Sequence, residues 1–394
     1  MSFKSGMSDK VRVFRVVTIP VYMSLILRGQ MQFLQQHYDV TGITADDGFH
    51  FERIAPREGI QMHIVPFKRD ISLWRDIYCL FLLIRAMVKE KPKLVHTQTP
   101  KAGLLGMLAA WICRVPVRIH SVTGVPLGQM EGGIRGRILR TMELLTFKCA
   151  THIVPNSKGV HALLLIHTYL ANSGKMEFLG NGSTNGVQLD RFVFDPAIRN
   201  EMREKWGIQP DEFVLGYVGR LARDKGSIEL LEAYKNLKQR HPKLRLLSVG
   251  LFDKDYGMLG EAFEKEIKET PGVILAGRQP EVVPFFQMMD MLVHPSYREG
   301  LPNVLLEAAA MGLPVVSTLV NGCMEVVEDG VTGDLVAAKD AKALENAIES
   351  LFLDTNRREK MKLAARNRVA AYFDQKVVWE NWKKYYDQTL ASVR

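Results

Sequence analysis

FVLGYVGRLARDKGS, residues 213–227, sets a mostly apolar run ahead of Gly219, two cations at Arg220 and Lys225, and a further glycine at Gly226. A short apolar run closed by glycine, with a helix beginning near Ser227, reads as strand, turn and helix. The same unit recurs in both directions. Upstream, strands are expected at 11–18, 40–45, 61–66, 93–98, 117–122 and 152–155, most of them separated by helices. Downstream, they are expected at 244–250, 273–277, 291–295 and 314–318. The two series are parted by GNGSTNGVQLDRF (180–192), rich in Gly, Asn and Ser, and no repeat of 20 to 50 residues is visible.

Strands alternating with helices predict parallel sheets. Two such series in 394 residues, more than a single core comfortably organises, predict an α/β protein of two Rossmann-like doubly wound domains facing a cleft. Ligands are expected at the carboxyl ends of the strands. The expected division is 1–190, 191–375 and a terminal helix at 376–394. The aromatic residues of that helix have helical spacing; it either packs across both lobes or is a plain terminal helix.

Composition excludes several classes. Hydrophobic content of 47% with 24% charged residues is that of a globular chain, not a disordered one. Four dispersed cysteines lack zinc or disulfide spacing and fit a reducing compartment. MSFKSGMSDK has no apolar core for an export signal, and the longest apolar run, Ile77 to Ile84, is far short of a bilayer span. Residues 1–190 hold 23 Lys and Arg against 13 Asp and Glu, within a net charge of +9, so the basic excess lies in the first half. An anionic partner there, or merely a solvated basic face, explains it. The basic residues are not arranged around aromatic stacking positions, so nucleic acid is not the expected partner.

The loop GYVGRLARDKG (216–226) lacks the spacing of a Walker loop and of a dinucleotide fingerprint. Arg220 offers a planar fork and Lys225 a mobile point charge, a pairing suited to a diphosphate. The alternative is a strand-to-helix turn with two solvated bases. A second anion site is expected in EGLPNVLLEAAAMGLPVV (299–316), where Pro302 suits the first turn of a helix, Gly312 its exit, and Pro314 blocks continuation. The N–H groups around Gly300 to Val304 would face an anion. Glu307, about five residues on, lies roughly 7 Å along the axis. A diphosphate at the helix start could then have a sugar beside Glu299 and a ribose beside Glu307. Alone, Glu299 could simply complement the helix dipole, and Glu307 could pair with a nearby base.

The Glu299/Glu307 pair, the GRLARDKG loop and EVVEDGVTG (325–333) resemble the C-terminal lobe of retaining GT-B glycosyltransferases of family four. LILRGQMQFLQQHYDV (25–40), LVHTQTPKAGLLGMLAA (94–110) and GNGSTNGVQLDRF resemble the bacterial capsule, O-antigen and exopolysaccharide subgroup acting on undecaprenyl-diphosphate-linked acceptors. The resemblance implies that Arg220 and Lys225 bind the donor diphosphate, Glu307 the ribose, and Glu299 the donor sugar. It places Gly300, Leu301, Asn303 and Val304 at sugar or phosphate, Arg278 at the nucleobase and His120 near the donor sugar. Relatives often carry Gly-Gly after the first strand; here TIPVYMSLILRG (18–29) has Gly29 alone, with Arg28 beside it as the nearest match. His96 reads as structural.

The implied activity is transfer of a hexose or N-acetylhexosamine from a nucleotide sugar, a UDP-sugar by family, to a polyprenyl-diphosphate-linked saccharide. Arg220, Lys225 and the helix terminus would stabilise the departing diphosphate, so no metal or other cofactor is expected, and retention by front-face attack is implied. In IRGRILRTMELLTFK (134–148), Ile138, Met142 and Leu145 lie at helical spacing among Arg135, Arg137, Arg140 and Lys148. That pattern suits either an interfacial helix on the anionic inner face of the cytoplasmic membrane or a core helix. LWRDIYCLFLLIRAMVK (73–89) suits lipid in the same way, but a buried core helix is the favoured reading. The rival function is a UDP-N-acetylglucosamine 2-epimerase of the same architecture, which would change a UDP-sugar without an acceptor.

Overall fold

The computed structural model describes residues 10–68, 70–124, 133–167, 169–253 and 258–393. The chain forms two units, Met1–Asn185 with Lys376–Arg394, and Gly186–Gln375. Residues 1–9, nearly all of the segment MSFKSGMSDK, lie outside the described residues.

The first unit holds β1 (Arg12–Val16), β2 (Asp39–Thr44), β3 (Gln61–Ile64), β4 (Leu94–Gln98), β5 (Val117–Val122) and β6 (His152–Pro155), in the order β3-β2-β1-β4-β5-β6. The second holds β7 (Phe213–Val218), β8 (Leu244–Val249), β9 (Val273–Gly277), β10 (Met291–His294), β11 (Val315–Thr318) and β12 (Asp334–Val336), in the order β12-β11-β10-β7-β8-β9. Every described pairing between them is parallel. Each sheet reverses its winding between its first and fourth strands, and that switch point is where a doubly wound sheet opens a crevice.

Central strands such as β4 are buried along their whole length, as a parallel sheet covered on both faces requires. The edge strand β3 is half exposed. β12, which the sequence does not announce, is only Asp-Leu-Val and has no alternation to read; its partner β11 supplies the pairing.

The terminal helix Gln375–Ala391 buries Val378, Trp382, Tyr385, Tyr386 and Leu390 against Val13, Val17, Met31, Leu34, Val40 and Val154 in the first unit. Beneath it lies Arg15, 1% exposed. Its guanidinium donates to Tyr386 Oη (2.7 Å), Gln30 Oε1 (2.9 Å) and Gln98 Oε1 (3.1 Å), and also meets His96. His96 is fully buried and bonds Ser121 Oγ at 2.7 Å, which is the structural role read for it.

One expectation fails. The helix Leu73–Glu90 buries Cys79, Leu83 and Met87 but exposes Trp74 (82%), Ile77, Tyr78, Phe81 and Val88. Its apolar residues exceed what one packed stripe can cover, because only one face meets the neighbouring helix Pro100–Ile112. The helix Gly133–Cys149 also packs against Pro100–Ile112 and exposes Ile134, Ile138 and Leu145. Arg137, Arg140 and Lys148 are exposed on the same helix, whereas Met142 is half-buried and the Arg135 side chain lies outside the described residues. No described helix is long and apolar enough to cross a membrane.

Candidate functional site

In the second unit β7 and β10 are neighbours across the switch point, so the loops leaving their carboxyl ends must meet. Gly226 makes that approach possible: its φ is 69°, and a Cβ there would stand 2.0 Å from the Pro295 carbonyl oxygen. The loops are then stitched together. Tyr297 N–H donates to the Asp224 carbonyl at 2.9 Å, Ser296 Oγ to the same oxygen at 3.3 Å, and Tyr297 Oη to Glu229 Oε1 at 2.6 Å.

This brings Lys225 onto Glu299, with Nζ 2.5 Å from Oε1. His294, at the end of β10, donates Nε2 to that oxygen at 3.1 Å. Burial would raise the Glu299 carboxyl, but His294 and Lys225 outweigh it and hold the group down at about 2. Burial likewise opposes protonation of His294, yet bonds to Cys323 and Glu299 lift it to about 9. The site is therefore an ionised carboxylate between two cations at neutral pH. Nothing in the sequence flagged His294. The available signal was its place at a strand end five residues before Glu299.

Arg220 is half exposed and pairs with Asp253, which follows β8. The helix Asn303–Ala310 begins after Pro302, one residue later than expected, and ends before Gly312, whose φ of 70° breaks it. Asn303 and Val304 occupy its first turn, where N–H groups lack helical acceptors. Leu301 is buried, and Gly300 packs so closely on Gly322 that a Cβ at Gly322 would lie 2.3 Å from the Gly300 oxygen.

The carboxylate of Glu307, on the second turn, has no hydrogen-bond partner among the described residues. Burial lifts its carboxyl to about 7, against the pull of Arg191, which itself pairs with Glu281 at 2.6 Å. Arg278 is exposed just beyond β9. His120 belongs to the first unit: it is buried on β5, bonds Thr97 Oγ1 at 2.8 Å and abuts Gly103. Burial pushes its imidazole down to about 4, so it is neutral. Arg220, Lys225, Arg278, Glu299, Gly300, Leu301, Asn303, Val304 and Glu307 all belong to the second unit. No group of three or more His, Cys, Asp or Glu able to hold a metal ion occurs among the described residues.

Residues 20–182 match the model of the glycosyl transferase 4-like domain, and residues 198–368 that of glycosyl transferases group 1. A capsular polysaccharide biosynthesis glycosyltransferase, CapM, of Staphylococcus aureus is 34% identical over 380 residues, 96% of this chain and 97% of that one. A UDP-Gal:alpha-D-GlcNAc-diphosphoundecaprenol alpha-1,3-galactosyltransferase of Escherichia coli is 26% identical, covering 86% and 87%. Among solved structures, Anabaena HepE in complex with UDP and glucose superposes with a TM-score of 0.79 at 18% identity, over 96% of this chain and 99% of that one. At that identity the likeness speaks for the fold.

Proposed function

Since the chain belongs to the group 1 glycosyl transferases and is a glycosyltransferase of GT-B fold, we propose that it moves a hexose or N-acetylhexosamine from a UDP-sugar to a polyprenyl-diphosphate-linked saccharide in bacterial surface polysaccharide synthesis. The observation that carries the donor half is the meeting of Lys225 and Glu299 at the switch point, beside the opening turn of the helix Asn303–Ala310. The acceptor half draws on relatives such as the Escherichia coli enzyme, which is named for a diphosphoundecaprenol acceptor.

In this reading the bond from anomeric carbon to phosphate opens through an oxocarbenium-like state, and negative charge gathers on the departing diphosphate. Lys225, Arg220 and the N–H groups of Asn303 and Val304 meet that charge, so the chain's own cations do the work and no metal is called for. Glu299 accepts from donor-sugar hydroxyls, Gly300 and Leu301 approach through their backbone, and Glu307 takes the ribose diol. Arg278 faces the base. His120, held neutral, contributes a hydrogen bond near the donor sugar and not a charge. Retention follows if the acceptor hydroxyl attacks from the face the diphosphate leaves, handing its proton to the leaving phosphate.

A bilayer surface suits the outer helices of the first unit. Helices joining parallel strands run against them, so Trp74, Ile77 and Tyr78, and likewise Ile134 and Ile138, sit toward the ligand-binding edge of that sheet. Aromatic and aliphatic groups beside Arg137, Arg140 and Lys148 are the composition of an interfacial face on anionic lipid, on the cytoplasmic side where nucleotide sugars are found.

The donor reading is tested by thermal shift against UDP, GDP and their sugars, each with and without EDTA. UDP compounds are expected to raise Tm, by about 2.7 kcal/mol of stability at a hundredfold excess over Kd, with no effect of EDTA. A response to GDP compounds alone, or one abolished by EDTA, removes the reading. The lipid reading predicts cosedimentation with phosphatidylglycerol vesicles at low salt, lost when Trp74 and Phe81 are both changed to Glu; equal sedimentation of that variant sinks it.

A further inference from the structure

Glu299 uses one oxygen, Oε1, for both of its cations, while Oε2 has no hydrogen bond among the described residues. The two cations are held very differently. Lys225 ends a flexible four-carbon stem on a loop and keeps a fifth of its side chain in solvent. His294 is 5% exposed and belongs to a central strand. Ser317 Oγ donates to its carbonyl at 2.9 Å. Its ring is braced by Cys323, which is fully buried on the helix whose first cap, Gly322, lies on the Gly300 loop.

We propose that His294 is the positioning residue that fixes Glu299 for the donor sugar, and that Lys225 holds the same carboxylate only until a diphosphate draws the lysine away. The inference rests on the donor-site reading above. A diphosphate carries about two negative charges and outbids one carboxylate for a mobile ammonium. Were Lys225 the sole partner, donor binding would strand a buried carboxylate without a countercharge, which is strongly unfavourable. His294 cannot follow the phosphate, so Oε1 stays pinned and Oε2 remains turned outward for a hydroxyl. The groups facing this pair are Lys225 from the loop after β7, Tyr217 from β7 itself, and Cys323 behind the imidazole.

The test compares UDP with whichever of UDP-galactose, UDP-glucose and UDP-N-acetylgalactosamine binds the unmodified protein most tightly, by calorimetry from pH 5 to 8. For His294→Ala, UDP affinity is expected to stay within about twofold, while the extra affinity due to the sugar falls about tenfold or more. His294→Gln, which keeps a donor but not the charge, should restore part of the sugar's contribution near pH 8 and lose it toward pH 5. This follows because Glu299 without its cation protonates at a higher pH. If UDP affinity falls as far as nucleotide-sugar affinity in both variants, His294 is merely structural and the proposal is overturned; unchanged sugar affinity in both also overturns it. Should His294→Ala not fold, His294→Gln alone decides through its pH dependence. Failure of the unmodified protein to bind UDP at all overturns the donor-site reading itself, and is seen without any substitution.

Discussion

The two units share one strand order yet handle buried charge in opposite ways. In the first, Arg15 lies under the terminal helix and its partners among the described residues, Tyr386, Gln30, Gln98 and His96, are all neutral. In the second, the carboxylate of Glu299 is squeezed between Lys225 and His294. A buried cation satisfied by dipoles is locked, because no arriving ion can replace its four partners without water entering. A buried anion with two cations, one of them mobile, can exchange partners. Equal topology therefore yields a framework in one unit and an exchangeable anion site in the other, and the difference lies in side chains and not in the sheet.

The largest expected effect tests the exchangeable site. Lys225→Ala should lower transfer by about 10²–10³-fold, the range seen when one stabiliser of a developing anion is lost, with little change in Tm. A loss below fivefold would break the contrast between the units. Next comes the locked site. Tyr386→Phe removes one of the acceptors of Arg15 and a partner of His96, and should cost about 1–3 kcal/mol of stability, read as a lower denaturant midpoint with UDP binding intact. A silent Tyr386→Phe would mean that Arg15 is less tightly held than its burial suggests.

The smallest effect sharpens the comparison within the second unit, where Glu307 has no countercharge in hydrogen-bonding reach among the described residues. Its carboxyl is raised to about 7 from an ordinary 4.5. The folded state therefore holds a proton that the unfolded chain has released between those values, and stability declines as pH rises through that window. Glu307→Gln removes the decline: the variant should match the parent near pH 4.5 and exceed it at pH 8 by on the order of 1–2 kcal/mol. Parallel melting curves across that range would show that the carboxyl is solvated after all.

Much of this was legible. Glycine-closed apolar runs reveal strands because a buried parallel strand must be apolar throughout, and Pro302 with Gly312 brackets a helix by backbone sterics. Lys225 and Glu299 could be named as candidate binding residues from their loops. Their contact could not, because 74 residues separate them and only the adjacency of β7 and β10 joins them. His294 was invisible for the same reason: a histidine at a strand end looks alike whether it faces a carboxylate or a methyl group. The helix Leu73–Glu90 misled because periodicity marks apolar faces without saying how many find a partner.

The amino-acid order alone determined the alternation of strands and helices, the bracketing of one helix between Pro302 and Gly312, and the basic bias of the first half, since each depends on neighbours in the chain or on simple summation. Only the folded arrangement decided that Glu299 would have two cations, that the partners of Arg15 among the described residues would all be neutral, and that Trp74 would face water. Those outcomes depend on which elements become neighbours in space, and a side chain's charge state and exposure are properties of that neighbourhood.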